Sequence, residues 1–419
     1  MTTKGSFEND FDDYSPTNLT PLLNENRDGI SEKFQAKLQN YKTAKFAFLT
    51  TKLEKELFCD GTVYTGSTGL ALYYLMLGLG NHDSLQDNLQ KALDYLDLDK
   101  LKGRRISFLC GDAGPLAIAT VISHKLGTRR PNYLPDYREL SVRLLNLGSL
   151  LNDSPDELLY GKAGYLYSLL FVNKYVHGRN VISDDHIEKV ASLILKSGKE
   201  FSQHTKSESP LLWQWHDKVY LGAAHGMAGI LYILLQARAY IKSHDIRGFV
   251  RPTIDWLMKQ QFPSGNFPSS LHSSSGDRLV QWCHGAPGFI PLCILAYQVF
   301  EEERYLKIAI QCGDLIWQRG LCAKGYSLCH GVSGNAYAFL QLYQVLKNYL
   351  FRNLSIFTAL GASWSGARWR DKALSYTDLI GRPRSSKVYS AEYTWSKTLL
   401  THRRLYSLDY AYKLLQITI

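Results

Sequence analysis

Six short turns of the form Gly-x-x-Gly recur along the 419-residue chain, and each one opens an apolar segment. The turns begin at Gly66, Gly111, Gly161, Gly226, Gly285 and Gly331. Successive turns are 45 to 65 residues apart. A single Gly-x-x-Gly motif carries almost no structural information, but six at this rhythm indicate a repeated supersecondary unit.

The segments that follow the turns are apolar on nearly every side, as in LALYYLMLGLG and FIPLCILAYQVF. Helices without a polar face are buried all round. Between them lie stretches such as DHIEKVASLILKSGKEF, whose apolar residues recur at three- and four-residue steps. We therefore predict an all-α fold that repeats an outer amphipathic helix, a loop, a glycine turn and an inner buried helix. Such units form an open solenoid or a closed ring, and inner helices that are apolar on every side favour the ring.

Two connections are longer than the rest, residues 206–220 and 262–280, and they precede the fourth and fifth turns. Long loops in a compact domain often shape functional sites, but they are also found as plain surface insertions. The sequence leaves both interpretations open.

Two of the six turns begin with Cys-His-Gly, and they supply Cys283, His284, Cys329 and His330. Thiolate sulfur and neutral imidazole are typical ligands of a tetrahedral zinc ion. Four protein ligands would make a closed structural site, and three would leave a position for water or substrate. Spacing alone does not choose between these sites, and buried thiols with turn histidines remain the structural alternative.

The formal net charge of +10 is concentrated at one end of the chain. Residues 344–419 carry 12 Lys and Arg against 4 Asp and Glu, so the rest is nearly balanced. This distribution argues against nucleic-acid binding, which a basic patch along the fold would indicate. Seven scattered cysteines and a polar, acidic start without an apolar signal segment predict a cytoplasmic protein without a disulfide framework.

The chain resembles the lanthionine synthetase C-like (LanC-like) proteins, and specifically their eukaryotic branch. The resemblance runs from about residue 7 to about residue 350 and is carried by FDDY, SFLCGDAGPLA, ELLYGKAGYLY, YLGAAHGMAGI, RLVQWCHGAPG, LIWQRGL and KGYSLCHGVSGNAYAFL. It implies an α/α toroid of seven helical hairpins. It also implies one zinc ion held by Cys283, Cys329 and His330, with a fourth position open for a thiol.

The resemblance further implies that the chain binds glutathione and adds its thiol to dehydroalanine or dehydrobutyrine in proteins, which is a peptide modification. His225 matches the family's catalytic histidine, and Glu157 matches an acidic residue that orients it. His284 takes the position of a tyrosine beside the zinc cysteine in bacterial members. It would either donate a proton to the enolate or support the metal site from outside.

Two lysines are implied as contacts of glutathione. Lys324 matches a lysine of the eukaryotic branch, and Lys4 lies one position away from an N-terminal arginine of that branch. A cation suits a peptide with two carboxylates. Family members are also associated with membranes, so peripheral attachment at the plasma membrane is a further expectation, although the chain shows no lipidation motif.

The C-terminal end departs from the family pattern. Residues 351–419 contain no glycine turn followed by an apolar helix, so six hairpins are evident where the family has seven. We predict a toroid domain over residues 1–350 and a divergent basic segment over 351–419, which fills the seventh slot if the ring closes.

Two other functions compete with the enzyme. A glutathione-binding or signalling protein without turnover is the alternative, and the altered C-terminal segment favours it. Carbohydrate processing is the third, because α/α toroids also house glycosidases. Those enzymes need two carboxylates that flank a sugar, and no such acidic pair stands at the glycine turns.

Overall fold

A computed structural model of the chain describes residues 5–11, 13, 22–25, 30–52, 60–176, 181–274, 276–352 and 371–375. In these residues the regular structure is helical, and strand-like pairing is limited to isolated bridges. The α-helices are α1 (Glu32–Lys52), α2 (Thr68–Gly80), α3 (Leu85–Leu93), α4 (Ala113–Leu126), α5 (Tyr137–Asn146), α6 (Lys162–Tyr175), α7 (Asp184–His204), α8 (Met227–Gln236), α9 (Ser243–Asp245), α10 (Arg251–Met258), α11 (Ala286–Phe300), α12 (Glu303–Arg319) and α13 (Val332–Arg352). The predicted all-α class is confirmed.

The predicted alternation of outer and inner helices is also present. An inner helix follows each glycine turn at once, and these helices are α2, α4, α6, α8, α11 and α13. Twelve of the 14 residues of α4 are buried. Only seven of the 21 residues of α7 are buried, and they recur on one face. The sequence difference between the two kinds of segment therefore corresponds to a difference in burial.

In four of the turns the second glycine is needed because the helix starts against backbone, at Gly114, Gly164, Gly229 and Gly334. A Cβ at Gly229 would collide with the carbonyl oxygen of Ala223, and one at Gly334 would collide with that of Leu328. Both obstacles are main-chain atoms, which cannot move aside as a flexible side chain can. A larger residue would push the inner helix away from its turn.

The chain divides into two compact units, and the larger helical one comprises Lys55–Gln260 with Ser269–Ser274. In this unit α2 packs on α4, α4 on α6 and α6 on α8, so the inner helices follow one another side by side. The outer helix that ends the unit contains a π-helical turn, Ile246–Val250, between α9 and α10.

The other unit comprises Met1–Glu54, Gln261–Pro268 and Ser275–Thr418. Here α11 packs against α12 and α13. Residues 371–375, the part of the divergent segment beyond α13 that the structure describes, are also packed in this unit. Leu374 lies in a buried cluster with Phe34 and Leu38 of α1, and the Lys372 ammonium lies 4.8 Å from the centre of the Trp317 ring on α12. The remainder of 353–419 is outside the described residues, so closure by a seventh element stays a prediction.

A short N-terminal stretch pairs with the loop after α12. The amide of Phe7 donates to the carbonyl of Leu321 (2.8 Å), and the amide of Ala323 donates to the carbonyl of Gly5 (3.1 Å). Asn9 donates to the carbonyl of Trp317 (2.6 Å). Residues 5–9 are therefore held beside Trp317 and the loop residues Leu321 and Ala323.

None of the helices within the described residues combines the length and apolar character that crossing a membrane requires.

Candidate functional site

Two loops, each ending in a Cys-His-Gly turn, meet in the smaller unit. Cys283 lies in a tight turn in which the amide of Gln281 donates to the carbonyl of His284 (3.2 Å) and the amide of His284 donates back to Gln281 (3.1 Å). Cys329 and His330 lie in a turn before α13, and the amide of His330 donates to Ser327 Oγ (3.2 Å). Because the second turn is not helical, its adjacent side chains do not diverge as neighbours on a helix do.

A backbone hydrogen bond joins the two turns directly. The amide of Cys283 donates to the carbonyl of Cys329 over 3.0 Å. The metal-binding atoms of Cys283, Cys329 and His330 all lie within 4.8 Å of one another. The fold thus brings together three residues that the sequence offered as metal ligands, and it places them by main-chain contacts.

The geometry of this cluster suits a tetrahedral zinc ion. Ligand atoms bound to such an ion lie roughly 3.3–3.8 Å apart, so the cluster needs side-chain movements of only about 1 Å to close on the metal. Both cysteines are buried, with 7% of their surface exposed, and His330 is half-buried. Two soft sulfur donors and one imidazole are a zinc-type ligand set with one position left over.

His284 does not belong to this group of ligand atoms. It is half-buried, and its backbone closes the turn that carries Cys283. The structure therefore places His284 beside the cluster, and its predicted role as a proton donor stays a prediction.

Groups around Cys283 shift the pKa of its thiol in opposite directions. A hydrogen bond with the Cys329 thiol and burial raise the pKa of Cys283 well above its ordinary value, while the ammonium of Lys324 acts in the opposite direction. The side-chain amide of Gln281 donates to Cys283 Sγ over 3.3 Å. Gln281 is itself buried. The amide donor and the lysine both favour a negative charge on sulfur, which a metal-bound thiolate carries.

A polar network centred on the buried Asn266 fixes the start of α11, immediately after the first Cys-His turn. The Asn266 carbonyl oxygen accepts from the amide of Ala286 (2.9 Å), and the Asn266 amide donates to Asp277 (2.7 Å) and to the carbonyl of Leu279 (3.1 Å). Arg319 on α12 completes the network through Asp277 (2.9 Å). Burial opposes ionisation of Asp277, but hydrogen bonds from Arg319, Ser264 and Asn266 lower its pKa overall.

Of the two predicted glutathione contacts, the structure describes one. Lys324 is exposed and lies in the loop between α12 and α13. Lys4 lies outside the described residues.

A histidine–carboxylate pair lies in the larger unit. His225 Nδ1 is 2.7 Å from Glu157 Oε2, and the two residues are 68 positions apart. The Glu157 carboxylate is 1% exposed and also accepts from the backbone amides of Leu159 (3.0 Å) and Tyr160 (2.5 Å). A carboxylate can only accept hydrogen bonds, so Nδ1 carries the proton that is shared with Glu157, and Nε2 is the other ring nitrogen.

Aromatic rings surround this histidine. The Trp215 indole stacks on the His225 imidazole, with ring centres 4.3 Å apart and planes 20° apart. Tyr160 lies nearly parallel to the imidazole at 5.9 Å, and the guanidinium of Arg105 lies 4.7 Å from the centre of the Tyr160 ring. Burial raises the pKa of Tyr160, with a further contribution from Cys110, which keeps the ring a neutral phenol.

Reasoning from the sequence missed this aromatic set. Trp215 stands in the long connection 206–220, which the sequence marked only as a loop of either functional or surface character. Asn266 was missed for the same reason, since it stands in the connection 262–280. The available signal was loop length, and it did not single out a residue.

Comparisons with known proteins agree with the family resemblance found in the sequence. A family model described as lanthionine synthetase C-like protein matches residues 58–356. A protein of Danio rerio named glutathione S-transferase LANCL1 is 39% identical over 364 residues, which cover 84% of this chain and 87% of that protein. LanC-like protein GCL1 of Arabidopsis thaliana is 34% identical over 307 residues, which cover 70% of this chain and 68% of that protein.

A solved structure of nisin cyclase matches with a TM-score of 0.53 at 19% identity, covering 90% of this chain and 99% of that one. This likeness confirms the predicted fold class, an α/α toroid of helical hairpins. The matched family model spans more than half of the chain, and both relatives exceed 30% identity. The chain belongs to the lanthionine synthetase C-like family.

Proposed function

We propose that this chain adds the thiol of glutathione to dehydroalanine or dehydrobutyrine residues in proteins, with a zinc ion bound by Cys283, Cys329 and His330. The observation that carries the proposal is the cluster of two thiols and one imidazole within 4.8 Å. The name of the Danio rerio relative, a glutathione S-transferase, supports glutathione as the thiol.

Zinc, when bound, supplies the acidity that turns a coordinated thiol into a thiolate at neutral pH. Cys283, Cys329 and His330 would hold the ion and would leave one position for the substrate thiol. The amide of Gln281 donates to Cys283 Sγ and so offsets part of the charge that gathers on the sulfur ligands.

The proposed reaction is a conjugate addition in which every atom and electron is accounted for. The thiolate sulfur forms a bond to the β-carbon of the dehydro residue, and the π electrons of the double bond move toward the carbonyl to give an enolate. A proton is then delivered to the α-carbon, so the thiol's proton is returned to the product and no redox partner is needed. An enzyme of this kind requires an acid near that carbon.

His225 is the proposed acid. Glu157 accepts a hydrogen bond from Nδ1–H, so Nε2 is proposed to give and take the transferred proton. His284 is the second candidate, because it follows Cys283 directly in the chain. Lys324 is proposed to bind a carboxylate of glutathione, since it is exposed in the loop that leads to Cys329 and His330 and carries a cation. Lys4 is proposed to act in the same way.

The test is thiol addition to a synthetic dehydroalanine peptide, followed by mass spectrometry, with zinc-loaded protein and glutathione. The proposal predicts one glutathione adduct per dehydroalanine and its loss in Cys283→Ala. The matched control is Cys293→Ala, which removes a buried thiol of α11 outside the cluster and should retain the activity. Folded, zinc-loaded wild type that forms no adduct would contradict the proposal.

A glutathione-binding protein without turnover is the second candidate, favoured by the divergent basic segment 351–419. It predicts saturable glutathione binding by calorimetry together with no adduct, and no effect of His225→Gln on either result. Turnover that depends on His225 excludes it.

The proposed location is the cytoplasm, with peripheral attachment at the plasma membrane as the further possibility. The six cysteines that the structure describes form no disulfide with one another, which is compatible with a reducing compartment. Cell fractionation of the expressed chain, with and without a high-salt wash, tests both locations.

A further inference from the structure

Trp215 and Glu157 constrain His225 in two different ways. Glu157 holds Nδ1 by one hydrogen bond of 2.7 Å. A single hydrogen bond fixes the position of that nitrogen but leaves the ring plane able to turn about it. The Trp215 indole lies flat on the imidazole, with centres 4.3 Å apart and planes 20° apart. The stack therefore supplies the constraint that the hydrogen bond lacks, because tilting the imidazole would drive it into the indole face.

The backbone reaches this arrangement through an unusual turn. Trp215 and Lys218 exchange both backbone hydrogen bonds, at 2.9 and 3.1 Å. The two residues between them, His216 and Asp217, have φ values of 46° and 56°. Such two-residue turns need positive φ at both positions and normally use Asn and Gly. Two consecutive residues with a Cβ in this sparsely populated region are found where surrounding contacts hold them there, often at functional sites.

The far end of the turn is anchored within the same unit. Residues 219–221 pair with residues 269–271, through bonds from the Leu221 amide to Ser269 (3.1 Å) and from the Leu271 amide to Val219 (2.9 Å). These bonds hold the residues after the turn in place, and they therefore limit the movement of Trp215.

A nearby tryptophan shows what a purely structural role looks like. Trp213, two residues earlier, is 4% exposed and donates its indole N–H to the carbonyl of Ile194 over 2.9 Å. Trp215 is only half-buried, and its face is directed to the histidine. Trp213 packs the fold, whereas Trp215 contacts the group that exchanges protons.

We infer that Trp215 is a positioning residue that fixes the ring plane of His225 and so directs Nε2 toward one point. The consequence for turnover rests on the proposed function of His225, but the effect on ring orientation does not. A misdirected proton donor lowers the rate of the chemical step more than the affinity for substrate, because a displacement of about 1 Å costs up to about a hundredfold in rate.

The experiment uses full-length protein with ¹³C-labelled histidine rings, and His225→Gln assigns the His225 signal. Carbon-13 relaxation gives the order parameter of the His225 ring C–H bonds, which falls when the ring plane turns more freely. Trp215→Leu should lower that order parameter, Trp215→Phe should lower it less, and Trp213→Phe should leave it unchanged although it lowers stability. In parallel, Trp215→Leu should reduce kcat for glutathione addition about tenfold to a hundredfold, with KM for glutathione unchanged and kcat partly restored in Trp215→Phe.

The NMR measurement tests the orientation role of Trp215, and the kinetics test the proposed function as well. A wild type without any glutathione addition, but with a His225 order parameter that Trp215→Leu lowers and Trp213→Phe does not, refutes the proposed function and supports the orientation role. A His225 order parameter that Trp215→Leu does not lower overturns the inference. So does a Trp215→Leu variant with a lower order parameter but the wild-type kcat.

Discussion

The metal cluster and the histidine pair are built by different means. The cluster of Cys283, Cys329 and His330 depends on two similar turns, 46 residues apart, which one backbone hydrogen bond joins. The pair of His225 and Glu157 depends on a side-chain hydrogen bond, and its ring plane depends on a tryptophan from another segment.

This difference shows which parts of a site a repeat can specify. The glycine turns recur, so ligands at equivalent positions of consecutive turns come together whenever the repeat folds. Orientation of an imidazole needs contacts that do not recur, and these come from long connections. We therefore expect the two sites to respond separately to substitution.

The largest effect is expected at His225. His225→Gln removes the proton donor and should lower kcat for glutathione addition about 10²- to 10⁴-fold. Zinc content should not change, since His225 is not among the cluster ligands. Steady-state kinetics and elemental analysis on the same preparation test whether the histidine pair and the metal cluster are independent. A variant that loses zinc together with activity would contradict that independence.

A smaller effect is expected at Gln281, which donates to Cys283 Sγ. Gln281→Leu keeps the size of the side chain but removes the donor, and should weaken zinc binding about 10- to 100-fold. Competition with a chromophoric chelator measures the change. Gln311→Leu, at an exposed position of α12, is the control and should bind zinc as the wild type does. Equal zinc affinities for the two variants would show that Gln281 does not support zinc binding.

Asn266 tests how much the polar network at the start of α11 contributes to stability. Asn266→Ala leaves the Ala286 amide and the Leu279 carbonyl without their partner, which costs about 1–3 kcal/mol of unfolding free energy. Urea denaturation measures this loss. Asn81→Ala, whose side-chain bond to the Asp83 amide is exposed, should cost less than about 0.5 kcal/mol. Similar losses at both positions would contradict a special role for the network.

The smallest effect concerns pH. The pKa of Asp277 is lower in the folded chain than its ordinary value of 3.8. Its ionised form therefore stabilises the fold above that value, and the contribution is lost as the pH falls through the depressed folded pKa. The difference in unfolding free energy between the wild type and Asp277→Asn should narrow below pH 3.8. Urea titrations at several pH values test this, and a constant difference would contradict it.

The repeat and the metal-ligand candidates could be predicted from the sequence because they follow from periodicity. Glycine turns mark the helix starts, and Cys-His pairs at two turns mark the cluster. Choosing three ligands out of four candidates required the family resemblance, and the geometry then brought Cys283, Cys329 and His330 together without His284.

The rest was not predictable because it depends on local geometry without a sequence signal. His216 and Asp217 are not residues that mark a turn with two positive φ values, so the position of Trp215 could not be foreseen. The burial of Leu374 against α1 was likewise hidden, because no glycine turn precedes residues 371–375.

The measurement that tests the central claim most directly is zinc per chain, by elemental analysis, on the wild type, Cys283→Ala and Cys293→Ala. We expect about one zinc for the wild type and for Cys293→Ala, and little for Cys283→Ala, because Cys283 belongs to the cluster and Cys293 does not. Folded wild type that takes up no zinc, or equal zinc in all three proteins, would contradict it.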